Sequence, residues 1–393
     1  MRIAELTAYI VNLRLRKTIK HASFSRRESA NVVVCCRLAN GITGWGEGVP
    51  RPYVTGETPE GAVEQFMGFP VAQQLDGDCD RWEHVFALCD RFRPAVGQDD
   101  PRGCRTNSLK CAVELSILDA FGQLFGEPLS AVTEHFDPAR QVRISSPKVR
   151  YSGAVTSATR RKEVISAIAM RAYGFRHCKV KVGIAGSDEA RRLRVLRRWL
   201  GRRMDIRLDA NAAWHADEVA AKLRPLLQYR ISCIEQPVPH TEVDALEEVR
   251  RETPVPVMLD ESLTSIADAK SAIRGHTCDL FNVRLSKCGG FLNSLRIAAL
   301  AHSAGIDYQL GCHPGESGIL SAAGRHWATS VKDIRYCEGS YDRHLLTDSL
   351  TNEDITFGYG GVARALKGPG LGVTVNRSTV RRLAKCAFST KLR

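Results

Sequence analysis

Apolar and polar positions alternate differently in the two halves of this chain. The first 60 residues predict strands and turns: an apolar run over 32–38, the turn Ala39-Asn40-Gly41, and a returning strand over 42–48. The basic segment before them, 19–27, predicts a loop. Helical periodicity then follows over 60–68, 81–92 and 107–122. The first part of the chain therefore predicts an α+β domain.

From about residue 150, short apolar strands alternate with helical patterns, which is typical of βαβ units. Polar residues end five successive strands at intervals of 25 to 28 positions: Lys181, Asp209, Glu235, Asp260 and Lys287. The same step reaches three further strand ends: Val155, His313 and Glu338. Eight strand ends are the number needed for a closed (β/α)₈ barrel, in which catalytic groups lie at the C-terminal ends of the strands.

Composition narrows the class of protein. With 44% apolar and 25% charged residues, the chain resembles ordinary globular proteins, and no apolar run reaches the length of a transmembrane helix. We therefore expect no membrane association. Because the N-terminus alternates like a strand and lacks the apolar core of a signal peptide, we expect a cytoplasmic protein. The 13 cysteines are scattered and predict neither a zinc site nor disulfides.

The net charge of +13 raises the alternative of a non-catalytic, basic protein that binds nucleic acid. The densest basic segment is 191–203, where Leu193, Leu196 and Leu200 recur at helical spacing. Its arginines therefore predict the solvated outer face of a helix, and no recognised nucleic-acid motif accompanies them. We expect no nucleic-acid partner.

Asp209, Glu235 and Asp260 end three adjacent strands, so their carboxylates can converge. Close carboxylates repel one another unless a cation lies between them. An all-oxygen set favours a hard ion, Mg²⁺ before Mn²⁺. Asn211 and Glu261 are candidates to support these ligands. The alternative is that each acid is an ordinary polar residue at a strand end.

Lys179 and Lys181 leave one strand on the same face, and Lys287 ends a strand on the far side of the three carboxylates. A lysine accepts a proton near pH 7 only where desolvation or neighbouring cations lower its pKa. The matching reaction is removal of a proton α to a carboxylate, with an enediolate intermediate stabilised by the metal. The alternative is that the lysines only pair with acids.

The ordered series Lys-x-Lys, Asp-x-Asn, Glu-Gln-Pro, Asp-Glu-Ser and Lys-x-Gly-Gly resembles the enolase superfamily, in its muconate-lactonising-enzyme subgroup. The resemblance implies a modified, enolase-like (β/α)₈ barrel over 141–345. It further implies an α+β capping domain over 1–140, and a C-terminal segment, 346–393, that returns to the cap. That segment contains turn residues at 367–372 and predicts a short strand over 373–375.

The resemblance also implies roles for individual residues. Asp209, Glu235 and Asp260 would bind Mg²⁺. Lys181 and Lys287 would be the acid–base pair on opposite faces of a small carboxylate substrate, and Lys179 would support Lys181. The segment 23–27 resembles a mobile cap loop, from which Arg26 or Arg27 could pair with a substrate carboxylate.

Further candidate substrate contacts are His313, Glu316, Ser340 and Asp342. Dipeptide epimerases carry Asp-x-Asp at the end of the eighth strand, and here only the second aspartate, Asp342, is present, with Glu338 close by. His313 resembles the base of acid-sugar dehydratases, but that base is paired with an aspartate where this chain has Lys287. We therefore interpret His313 as a substrate contact or a hydrogen-bonded polar residue.

These residues predict a Mg²⁺-dependent isomerase, either a racemase or an epimerase, acting on an N-acyl amino acid or a dipeptide. Three enzyme alternatives stay open: a muconate-type cycloisomerase, an o-succinylbenzoate synthase, and a dehydratase that uses His313. We expect a homo-oligomer.

Overall fold

A computed structural model describes residues 1–20, 25–68, 70–94, 100–156, 159–184 and 186–392. Its strands are β1 (Ile3–Lys20), β2 (Ser25–Leu38), β3 (Thr43–Gly48), β4 (Lys148–Arg150), β5 (Gly153–Val155), β6 (His177–Lys181), β7 (Asp205–Asp209), β8 (Ile231–Glu235), β9 (Val257–Leu259), β10 (Leu280–Val283), β11 (Asp307–Leu310), β12 (Ile334–Cys337), β13 (Val362–Arg364) and β14 (Ala384–Lys391). Its α-helices are α1 (Pro52–Thr55), α2 (Pro59–Met67), α3 (Val71–Gln74), α4 (Trp82–Arg91), α5 (Asn107–Phe125), α6 (Val132–His135), α7 (Arg160–Ala172), α8 (Glu189–Leu200), α9 (Ala216–Leu223), α10 (Leu246–Glu252), α11 (Ile266–Arg274), α12 (Phe291–Ser303), α13 (Gly318–Ser330), α14 (Asp342–Leu345) and α15 (Arg377–Leu383).

The cap is built on an antiparallel sheet with strand order β14-β1-β2-β3. Helix α5 packs directly against β3, and three alternate glycines make that contact possible. A Cβ atom at Gly44, Gly46 or Gly48 would collide with backbone atoms of α5. Since residues two apart on a strand share a face, the alternating glycines present one flat surface to the helix. Helix α5 is consequently buried along most of its length.

The eight strands β5 to β12 form one sheet in which each strand pairs in parallel with the next along the chain. The ring closes where the Ser152 amide donates to the Cys337 carbonyl at 2.8 Å. Helices α7 to α13 follow the first seven strands, and the four-residue α14 follows the eighth. The predicted (β/α)₈ barrel is confirmed.

Two predicted elements are wrong. The segment 19–27 is not a loop at either end: β1 continues to Lys20 and β2 begins at Ser25, with Ile19 opposite Arg26. The backbone ladder continues there because its hydrogen bonds do not depend on apolar side chains. Residues 21–24, which include Ser23 of the predicted cap loop, lie outside the described residues.

The predicted strand at 373–375 is only an isolated bridge between Thr351 and Val375. The C-terminal segment instead contributes β14, which pairs with β1 of the cap, and β13, which pairs with β4. A segment that joins the edge of an existing sheet is held by backbone hydrogen bonds, so it can form a strand without a strong apolar pattern. Half-buried and exposed residues alternate along β14.

The remaining expectations concern surface and redox chemistry. On α8, Leu193, Leu196 and Leu200 are buried, and Arg191, Arg194 and Arg198 are exposed, as predicted. All 13 cysteines lie in described regions and are free. Within the described residues, no helix has the length and apolar character needed to cross a membrane.

Candidate active site

The three predicted metal ligands lie together at the C-terminal ends of adjacent barrel strands. Asp209 and Glu235 are directly opposite in the register of β7 and β8, and Asp260 follows β9. Each of the three is at most 1% exposed. The fold thus places three acidic side chains in one water-poor region, where their charges must be compensated.

Lys179 lies among these acids. Its Nζ is 3.4 Å from Asp209 Oδ2, 3.3 Å from Glu235 Oε1 and 2.9 Å from Glu338 Oε1. Burial opposes the charged form, but Glu235, Glu338 and Asp209 outweigh it and hold the pKa of Lys179 above its ordinary value. Lys179 is therefore a permanent cation.

Glu338 has a second buried partner, the guanidinium of Arg207. Burial favours the neutral acid, but Lys179 and Arg207 outweigh it and lower the pKa of Glu338 to about 2. Arg207 also lies over the ring of Tyr336, 4.8 Å from its centroid. Glu338 is therefore an ionised acid that links two buried cations.

Asp260 is likewise paired with two cations, Arg284 and Lys287. Burial opposes its ionisation, yet these cations hold the pKa of Asp260 below its usual range. The Nζ of Lys287 donates to Asp260 Oδ1 at 2.9 Å and to the Asn282 carbonyl at 2.8 Å. Lys287 is completely buried.

Asn211 links the other predicted acid–base residue to the carboxylates. The Asn211 Oδ1 atom accepts from Lys181 Nζ at 2.6 Å. The backbone amide of Asn211 donates to Asp209 Oδ1 at 3.1 Å, and its side-chain Nδ2 donates to Glu261 Oε1 at 3.3 Å. Asn211 has φ of 46°, a left-handed conformation that asparagine tolerates. Asn211 and Glu261 therefore lie beside the candidate metal ligand Asp209, and their supporting role stays a prediction.

The donor chemistry of this cluster fits a hard divalent cation. Burial, together with Asp209, Glu338 and Asp260, raises the pKa of Glu235 to about 8, although Lys179 opposes this rise. Within the part of the chain that the structure describes, Glu261 Oε2 is buried without a hydrogen-bond partner. Among the described residues, however, no three His, Cys, Asp or Glu side chains are arranged to hold an ion. Lys179, Arg284 and Lys287 pair with the candidate ligands instead, and an ion would replace some of these contacts.

Cations also surround the end of the seventh strand. Arg26 Nη2 donates to the Pro314 carbonyl at 2.7 Å, and Arg51 Nη2 lies 3.4 Å from the same oxygen. Burial, and then the charge of Arg26, lowers the pKa of Arg51 to about 9. Arg27 is exposed, so of the two arginines predicted in the cap loop it is Arg26 that reaches the barrel mouth.

His313 and Glu316 lie beside these arginines. His313 is 2% exposed, and within the described structure neither ring nitrogen has a hydrogen-bond partner. Burial and the surrounding cations hold the imidazole pKa well below its usual value. Burial also raises the pKa of Glu316 to about 8. A neutral imidazole with two unused nitrogens suits a hydrogen bond to a ligand.

The two predicted contacts after the eighth strand differ from each other. The Ser340 hydroxyl accepts from Arg325 Nη2 at 2.9 Å and lies 3.1 Å from the Tyr151 hydroxyl, so it belongs to a buried structural network. Asp342 is 5% exposed, and its Oδ1 has no hydrogen-bond partner in the described region. Of the two, Asp342 has the free acceptor that a polar ligand could use.

Sequence reasoning did not identify Arg207, Arg284 or Arg51 as site residues. Arg207 lies two positions before Asp209, on the same face of β7, just as Lys179 lies two before Lys181. Inspecting the residue two positions before each predicted ligand, which shares its face of the strand, would have identified Arg207. Arg51 follows β3 in the cap, and only the tertiary fold brings it to the barrel.

The chain is similar to known proteins over nearly its whole length. Residues 163–379 match the family model described as enolase C-terminal domain-like. The chain is 27% identical to N-succinyl-L-Arg/Lys racemase of Bacillus cereus, over 98% of each chain. It is 30% identical to L-Lys-D/L-Arg epimerase of Methylococcus capsulatus, over 95% of this chain and 99% of that one.

Solved structures are similar over the whole chain. The crystal structure of the Bacillus cereus racemase has a TM-score of 0.87 at 26% identity, covering 99% of this chain and 100% of that one. A Cytophaga hutchinsonii dipeptide epimerase complexed with Mg and D-Ala-L-Val has a TM-score of 0.83 at 25% identity, with both chains fully covered.

Proposed function

Since this chain belongs to the enolase superfamily, in its muconate-lactonising-enzyme subgroup, and is an isomerase, we propose that it is a Mg²⁺-dependent racemase of N-acyl amino acids. The observation that carries the proposal is the placement of its lysines. Lys181 ends β6 and Lys287 follows β10, so they lie on either side of the strands that bear the three carboxylates. Racemisation needs a proton acceptor on one face of the α-carbon and a donor on the other.

In this proposal Asp209, Glu235 and Asp260 would hold the Mg²⁺, which would supply charge stabilisation to the substrate carboxylate when bound. One lysine takes the α-proton onto its Nζ, and the other returns a proton from the opposite face, so the configuration inverts. Lys179, kept cationic by its three acids, adds fixed positive charge beside the developing enediolate. Burial excludes water from this region, which strengthens each of these interactions.

The cap and the seventh strand suggest the acyl group. Arg26 and Arg51 provide two guanidinium groups at the mouth, near His313 and Glu316, and such groups suit a carboxylate. We therefore propose an acyl group that ends in a carboxylate, such as succinyl. The naming of a similar protein as an N-succinyl-L-Arg/Lys racemase supports this choice. Asp342 Oδ1 is a candidate contact for a cationic amino-acid side chain.

The test is α-proton exchange in D₂O with Mg²⁺, using N-succinyl amino acids, dipeptides, muconate and acid sugars. We expect exchange and loss of optical rotation with N-succinyl substrates. Lactone formation from muconate, or succinylbenzoate synthesis, would instead identify a cycloisomerase or a synthase. Dehydration that depends on His313 would identify a dehydratase. Because the chain is an isomerase, the alternative of a non-catalytic basic protein is set aside.

A further inference from the structure

One side chain of the cap holds two active-site loops together. Asn107, the first residue of α5, is 2% exposed, and its Nδ2 donates to the carbonyls of Thr264 and Lys287, both at 2.7 Å. Thr264 belongs to the loop that starts at Asp260. Asn107 thereby fixes the backbone of Lys287 against the loop that carries a predicted metal ligand.

Lys287 lies in the loop 284–290 between β10 and α12, which we call the Lys287 loop. A second side chain of α5 contacts the far end of this loop. Glu114 accepts from the amides of Phe291 at 2.5 Å and Leu292 at 3.1 Å, which begin α12. Gly290 has φ of 116°, and a Cβ atom there would collide with the Glu114 carboxylate. The loop therefore approaches the cap helix as closely as its backbone permits.

The barrel holds the opposite end of the lysine. Lys287 Nζ donates to Asp260 and to the Asn282 carbonyl, so its ammonium is fixed while the cap fixes its backbone. Lys181 is held differently: its Nζ donates to Asn211, and its carbonyl accepts from Arg192 at 2.5 Å. Both of these partners belong to the barrel. Among the described residues, the cap therefore supports the two lysines unequally.

We propose that Asn107 and Glu114 are positioning residues for Lys287, so that the cap sets the geometry of one of the two acid–base lysines. This inference rests on the proposed racemase function. A shift of about 1 Å in a reacting group can cost roughly a hundredfold in rate. Losing either cap contact should therefore slow the proton transfer on the Lys287 face more than that on the Lys181 face.

The test compares the two enantiomers of one N-succinyl amino acid. Deuterium incorporation into the recovered starting enantiomer reports the lysine on its own face, and the Lys287→Gln variant shows which enantiomer that lysine serves. For Asn107→Ser and Glu114→Met, which lose these hydrogen-bonding groups, we expect the exchange rate of that enantiomer to fall about tenfold or more relative to the other. Circular dichroism checks folding, and either variant suffices if the other does not fold. Glu114→Gln, which keeps the acceptor oxygen, should restore the ratio of the unmodified enzyme.

The matched control is Asp119→Asn. Asp119 is buried on the same helix, α5, and accepts from the amides of Trp45 and Leu371, both at 2.8 Å. Neither partner lies in a loop that carries an acid–base lysine, so the ratio of the two exchange rates should equal that of the unmodified enzyme. An equal loss for both enantiomers in the Asn107 and Glu114 variants would overturn the positioning role and leave the racemase function standing. Absence of exchange from both enantiomers in the unmodified enzyme would overturn both.

Discussion

Lys179 Nζ lies 2.9 Å from Glu338 Oε1, and this buried ion pair joins the second and eighth strands of the barrel. Glu338 also pairs with Arg207, so one acid compensates two buried cations. From the sequence, Glu338 was predicted only to end the eighth strand and to lie close to Asp342. These two contacts place an ionised acid between two buried cations, so each cation has a counter-charge in a region with little water.

Replacing Glu338 should destabilise the fold. In Glu338→Gln, Lys179 and Arg207 stay buried with one fewer counter-charge, and we expect the free energy of unfolding to fall by about 3–5 kcal/mol. Urea unfolding at pH 7 measures this change. The control is Asp307→Asn, which removes an exposed pair with Arg335 and should cost under about 1 kcal/mol. Equal losses in the two variants would contradict the importance of the buried pair.

Mg²⁺ binding should depend on Asp209. Residues that only support a metal ligand contribute roughly tenfold to a hundredfold to affinity, so loss of a ligand should weaken binding at least that much. Isothermal titration with MgCl₂ should therefore show this loss for Asp209→Asn. Asp205→Asn, at the opposite end of the same strand, should bind as the unmodified protein does. If the unmodified protein takes up no Mg²⁺, the metal site is wrong.

Each acid–base lysine should serve one enantiomer. In the proposed mechanism the two lysines act from opposite sides of the substrate. We therefore expect Lys181→Gln to lose α-deuterium exchange from one enantiomer of an N-succinyl amino acid and Lys287→Gln to lose it from the other. Nuclear magnetic resonance of the recovered substrate gives both rates. Lys270→Gln, on the exposed side of α11, should change neither. A variant that abolishes exchange from both enantiomers while remaining folded would argue for a single base.

Arg26 should select substrates that have an anionic acyl group. A hydrogen bond to a charged group contributes about 1.5–3 kcal/mol, so Arg26→Gln should raise KM for an N-succinyl substrate roughly tenfold to a hundredfold. The N-acetyl analogue, which lacks the distal carboxylate, should be almost unaffected. The exposed neighbour provides the control, Arg27→Gln. An equal effect on both substrates would show that Arg26 is structural.

The cap should lose stability as pH rises, because burial raises the pKa of Glu57 to about 7. A carboxyl group with a raised pKa binds more protons in the folded state, so its contribution declines between about pH 4.5 and pH 7. We expect the free energy of unfolding to fall by up to about 3 kcal/mol across this window relative to Glu57→Gln. Leu88→Ala, a cavity variant of the same cap, should shift the free energy equally at every pH. Parallel pH profiles for the wild type and Glu57→Gln would contradict this prediction.

The order of polar residues along the chain by itself determined the barrel and the main site. The interval between successive acids equals the combined length of one strand, one helix and their loops, as it does for Asp209, Glu235 and Asp260. Parallel strands bring their equivalent ends together. The position at the barrel mouth was therefore predictable for residues that follow this spacing, including Lys181 and Lys287.

Only the tertiary structure decided which charges compensate these residues and what holds them. Glu338 meets Lys179 because the ring of strands closes, and Asn107 and Glu114 reach the Lys287 loop because the glycines of β3 let α5 pack closely. The strand β14 was not predictable from the sequence, because it forms by pairing with β1 and has no strong apolar pattern of its own. Local periodicity in the sequence indicates on which face of a strand or helix a side chain lies. Contacts between distant segments depend on how the closed barrel and the cap pack together.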